Sequence, residues 1–119
     1  MVANTHLLVR LAQSTSDANA VFRETVCGES ATPWEQMDND ERRQVVTTIA
    51  AALEARYESA EASHKAWLER KRKDGWSLGE TEDREKKITP YLTEWAELPM
   101  QGRAKAALFV SILKPFYGQ

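Results

Sequence analysis

The chain has 119 residues, room for one compact domain with one modest core. Hydrophobic residues make up 42% and charged residues 29%, which excludes wholesale disorder. A net charge of −2 excludes a surface given over to nucleic acid, and a lone cysteine, Cys27, excludes an internal disulfide or a Cys-based zinc site. Nothing approaches the roughly 20 apolar residues of a membrane span, and Leu7-Leu8-Val9, stopped by Arg10, is too short for a signal segment. The expectation is a single domain over residues 1–119, cytoplasmic, in a reducing compartment and away from membranes.

The first segment, about Thr5 to Val26, reads as helix through Leu7, Leu8, Leu11, Val21, Phe22 and Val26. Its polar middle, Gln13 to Asp17, predicts a break. Gly28 is placed to end it in a left-handed cap. Thr32-Pro33-Trp34-Glu35 predicts a capping box on a short helical turn, with Thr32 as cap and Trp34 directed inward.

Asp38 and Glu41 then cap the clearest helix, whose stripe is Val46, Ile49, Ala50, Leu53 and Tyr57. That stripe is expected to pack on Leu108 and Ile112. A third helix runs from near Ser59 to Asp74 and stops at Gly75. Periodicity dissolves from Trp76 to Pro99, where a short two-stranded ribbon is expected between turn residues. The last helix runs from about Pro99 to Lys114, with Ala104, Ala107, Leu108, Ser111 and Ile112 on one face and Pro115 halting it. The fold class is therefore mainly α, a compact bundle of about four helices with a long irregular segment before the last. Compact domains seldom keep such a segment without a use for it.

Catalytic patterns are missing: there is no nucleophile elbow, no glycine-rich phosphate loop and no HExxH pair. The chain is expected to be no enzyme, with no metal and no cofactor. On the third helix, His64, Trp67, Leu68 and Lys71 share one face at i, i+3, i+4 and i+7. For an arbitrary protein that is a core face with a snorkelling lysine. Yet a hydrogen-bonding ring, a stacking platform and a cation are what hold a flat anionic ligand. Arg70-Lys71-Arg72-Lys73 suits the negative end of the helix dipole, so single-stranded nucleic acid is the weaker reading of that cluster.

The string His64-x-x-Trp67, Lys71, Gly75-Trp76, Gly79, Asp83, Lys86-Lys87, Pro90, Leu92 and Glu97-Leu98-Pro99 resembles the ryanodine-receptor repeat, the RyR domain. The resemblance extends upstream to Asn19, Phe22, Gly28 and Pro33-Trp34-Glu35, as in stand-alone bacterial and phage versions, and spans about Leu11 to Ile112. The chain departs from the family pattern at Leu78, Thr89 and Glu82. The resemblance implies a sensing or sequestering domain for an adenine nucleotide or ADP-ribose-like signal. The ligand would stack on Trp67, with His64, Lys71, Trp76, Lys86 and Lys87 around it. The alternative is a protein–protein interaction module, such as a phage product acting on a host factor. Because channel members carry these repeats in pairs, the resemblance also implies a homodimer that rebuilds the pair. Gly75, Pro90 and Asp83 are assigned to shaping the loop, and Trp95 with Leu98 to pinning it on the last helix.

Overall fold

The computed structural model describes residues 5–118. It is mainly helical: α1 (Thr5–Thr25), α2 (Asn39–Ala55), α3 (Ala60–Lys73) and α4 (Met100–Leu113). Strands β1 (Ser77–Leu78) and β2 (Ile88–Thr89) make a small parallel pair, with Ser77 opposite Ile88. Three short 3₁₀ turns complete the order, at Trp34–Gln36, Trp95–Glu97 and Lys114–Phe116. The expected mainly α class with four helices holds, and so does a two-stranded ribbon in the segment before α4. The chain divides into two compact units, one formed by the stretch up to Tyr57 with the residues from Leu108 on, the other by Glu58–Ala107.

In the first unit α1 is one unbroken helix, contrary to the expected break. Its polar residues satisfy themselves without leaving the helix. The Thr15 hydroxyl donates to the Leu11 carbonyl at 2.7 Å, one turn back, and is buried there. Asp17 Oδ1 accepts the Trp34 backbone N–H at 3.0 Å. That bond also corrects the box expected at Thr32. The 3₁₀ turn begins after Pro33, no side chain of its own segment caps it, and the acceptor comes from α1 instead. Trp34 is buried as expected.

α2 begins in the anticipated capping box. The Asp38 carboxylate accepts from Glu41 N–H at 2.8 Å, and the Glu41 side chain returns the bond to Asp38 N–H at 3.1 Å. The core of this unit is Leu11, Ala12, Trp34, Ile49, Ala52, Leu53 and Leu113, with Val46, Tyr57, Phe109 and Ile112 packed against it. The α2 stripe is thus covered by Leu11, Ala12, Leu113 and Ile112. Leu108 lies apart, against the end of α1 beside Val21, Phe22 and Val26. The expected face of α4 is corrected too: Val110 and Leu113 are buried while Ala107 and Ser111 are exposed. This helix is apolar on most sides, so spacing alone does not single out one face. The chain then turns back, and Tyr117 Oη donates to the Tyr57 carbonyl at 2.9 Å.

The second unit starts at α3, capped by Ser59, whose hydroxyl accepts Ala62 N–H at 3.1 Å. The segment that follows is pinned by its own backbone. Asp83 and Ile88 exchange both backbone bonds at 2.9 Å, so the loop folds back on β2. Asp83 Oδ1 also accepts Lys86 N–H at 3.2 Å, the bracing role expected of it. Leu98 and Tyr91 are buried against Gly102, where a Cβ would meet Leu98 Cδ1 at 2.7 Å and Tyr91 Cδ1 at 2.9 Å. Only glycine lets the loop approach α4 that closely. Among the described residues no helix is long and apolar enough to cross a membrane, and no group of His, Cys, Asp or Glu side chains could hold a metal ion.

Candidate functional site

The helical spacing of His64, Trp67 and Lys71 stacks the three side chains along one face of α3, one from each successive turn. The rings of His64 and Trp67 lie 5.5 Å apart, 26° from parallel. The Lys71 ammonium stands over the Trp67 ring, 5.9 Å from its centroid. The same ammonium is 4.2 Å from the centroid of Trp76. Both indoles are half-buried, so each keeps part of its surface for solvent.

Trp76 reaches Lys71 because of how α3 ends. Gly75 adopts φ +87°, and the N–H groups of Gly75 and Trp76 return to the carbonyls of Arg72 and Lys71 at 3.1 and 3.0 Å. This is the Schellman closure, in which the second residue beyond the cap packs on the last turn. The Lys87 ammonium completes the helix end by donating to the Asp74 carbonyl at 2.8 Å. Burial lowers the pKa of Lys71 below its usual 10.5, and the Glu82 carboxylate opposes that shift.

At the other end of the ladder sits His64, 6% exposed. Its Nε2 lies 2.7 Å from the Thr93 carbonyl, which can only accept, so that nitrogen carries the proton. Its ring also meets Trp95, with centroids 6.0 Å apart. Trp95 in turn lies under the Arg103 guanidinium at 5.2 Å, and Arg103 donates to the Trp95 and Ala96 carbonyls at 3.0 and 3.2 Å. Arg72 adds an ion pair to Glu94 at 3.0 Å. Residues 93–96 are therefore each held by a side chain from α3 or α4, and the pinning role expected of Trp95 and Leu98 stands.

Of the six residues singled out from sequence, His64, Trp67, Lys71 and Trp76 come together in one row. Lys86 and Lys87 are exposed, and Lys87 is engaged at the end of α3. Two members of the row escaped sequence reasoning as site components, Trp95 and Arg103. Arg103 did leave a signal. A cation in the first turn of α4 opposes the helix dipole, an arrangement that makes sense when the side chain reaches back to the carbonyls before the helix.

A family model for the RyR domain matches residues 44–115, which include every residue of this row and all of α3, β1, β2 and α4. No curated protein and no solved structure matches the chain. The matched stretch covers more than half of the chain, and the chain belongs to the RyR domain family.

Proposed function

We propose that this protein binds a small anionic ligand with a flat ring, an adenine nucleotide or ADP-ribose-like signal, and senses or sequesters it without transforming it. The observation that carries this reading is the Lys71 ammonium shared by the half-buried indoles of Trp67 and Trp76. Two indole faces and a cation meet there, the groups that a base with its phosphate requires. In this reading His64 orients Trp67, being itself buried and bonded to Thr93. Lys86 and Lys87 supply positive charge at the rim. The ligand needs no metal, cofactor or membrane, and the protein works in the cytoplasm as a homodimer whose two copies face each other across the ligand.

A thermal-shift series with adenine nucleotides, ADP-ribose and its cyclic derivatives tests this. A ligand present at about 100 times its dissociation constant stabilises the fold by about 2.7 kcal/mol, a shift of several degrees in a domain this size. Trp67→Ala should keep the fold and lose the shift. A flat series across all of these ligands would sink the reading, and so would a Trp67→Ala protein that simply unfolds. Light scattering on a gel-filtration column checks the homodimer: a monomer mass, unchanged by a ligand that binds, removes it.

One observation favours the interaction-module reading instead. In the first unit, Val21 and Val26 are 63% and 54% exposed and line a shallow apolar groove of about 510 Å³ with Ala18, Phe22 and Leu108. Exposed apolar surface of that kind marks contact sites. Loss of partner capture on Val21→Glu, with nucleotide binding absent throughout, would establish that reading in place of the first.

A further inference from the structure

The Schellman closure of α3 normally sets an apolar side chain two residues past the cap against an apolar one on the last turn. Here the two positions are Trp76 and Lys71, and the contact is an ammonium on an indole face, 4.2 Å from the centroid. A second indole, Trp67, presents itself to the same ammonium at 5.9 Å. Indole is the aromatic side chain that attracts positive charge most strongly, because its ring quadrupole is negative on the face. Two such faces around one charge form a receptor for cations, and the protein fills it with its own lysine.

A ring that stacks on Trp67 toward Trp76 takes the place of that ammonium. A neutral ring restores the dispersion contact but not the attraction between charge and quadrupole. A ring with a delocalised positive charge restores both, and repels the ammonium toward the phosphate of the same ligand. The four-carbon stem of lysine permits that movement. Resting on the nucleotide-binding reading above, we propose that Trp67 and Trp76 select nucleotides whose base is positively charged. Purine nucleotides methylated at adenine N1 or guanine N7 and pyridinium nucleotides are of this class, and Lys71 is the internal occupant that they displace.

AMP and 1-methyl-AMP at pH 7 differ little in shape and by one positive charge on the ring. Calorimetric titration of the full chain should show the charged member binding about 5- to 30-fold more tightly, the range that a partly desolvated cation–π contact supplies. Nicotinamide mononucleotide should exceed its reduced form in the same direction. Trp76→Leu should bring the ratio toward one. Lys71→Met, probed with 1-methyladenosine so that no phosphate contact enters, should bind more tightly than the unaltered protein, because the internal competitor is gone.

Equal affinities for AMP and 1-methyl-AMP would overturn the proposal while leaving the nucleotide reading in place. No binding by these or by ADP-ribose overturns both. If Trp76→Leu fails to fold, Lys71→Met decides: unchanged or weaker binding of 1-methyladenosine overturns the proposal.

Discussion

The core of the first unit is almost wholly apolar, with Ile49, Leu53 and Leu113 at 1%, 3% and 0% exposure. The unit Glu58–Ala107 buries far less aliphatic surface, chiefly Leu68 and Leu98. It is held instead by directed contacts: His64 to Thr93, Arg103 to two carbonyls, Arg72 to Glu94, and cations on Trp67, Trp76, Trp95 and Tyr91. Apolar burial is tolerant of geometry, whereas hydrogen bonds and cation–π contacts fix angles and distances. A unit stitched in the second way keeps polar groups and ring faces near its surface at defined positions. That is what a recognition surface requires, and the candidate site lies in that unit.

The comparison breaks most visibly at the core. Leu53→Ala should cost about 2–5 kcal/mol in urea melts, since the site is closed on all sides. A loss below about 0.5 kcal/mol would mean that the α2 stripe is not the centre of its unit. His64→Ala comes next. It strands the part-buried Thr93 carbonyl, and an acceptor left unpaired away from water costs about 1–3 kcal/mol by the same measurement. A loss as large as that of Leu53→Ala would erase the distinction between the two units. Arg72→Ala removes an ion pair whose side chains are 52% and 66% exposed, and such pairs are worth about 0.2–1 kcal/mol. The effect should shrink further in added salt.

The smallest expected effect sharpens the contrast by its sign. Burial lowers the pKa of Lys71, so the folded chain binds fewer protons than the unfolded chain between that lowered value and 10.5. Lys71 therefore adds stability as pH rises through this window. Tyr117 is opposite: burial, with Tyr57 nearby, raises its pKa above 10.0, so the folded chain keeps a proton that the unfolded chain loses. Its contribution is full below pH 10.0 and is lost as pH rises through the raised value. Subtracting the stability curves of Lys71→Met and Tyr117→Phe from that of the unaltered protein should give slopes of opposite sign above about pH 9. Slopes of the same sign would contradict one of the two burial assignments.

How much of this was legible in the sequence follows from range. The capping box of Asp38 and Glu41, the start of α3 near Ser59 and its stop at Gly75 are local devices, decided within a few residues, and each is found where the spacing places it. The row of His64, Trp67 and Lys71 is equally local, since three turns of one helix suffice to align it. Contacts that close over longer distances were not legible. Asp17 serves Trp34 across 17 residues, and Arg42 of α2 lies over the Trp34 ring at 5.2 Å and donates to the Trp34 carbonyl. Arg103 meets Trp95 across the start of α4, where the sequence offers only an ill-matched charge. Val21 and Val26 misled in the other direction. They count among the apolar residues that mark α1 as a helix, yet the structure leaves them open.

Every tryptophan in the chain has a cation over its ring: Arg42 on Trp34, Lys71 on Trp67 and Trp76, and Arg103 on Trp95. A charge that close changes the energy of the excited indole, so losing the cation alters emission even where the backbone stays folded. Three of these four emitters belong to Glu58–Ala107. Fluorescence is therefore chiefly an optical gauge of that unit, while far-ultraviolet circular dichroism weighs the helices of both. Recorded together during a denaturant titration, the two signals coincide if the chain melts as one cooperative block. They separate, with fluorescence changing first, if the unit stitched by directed contacts opens on its own.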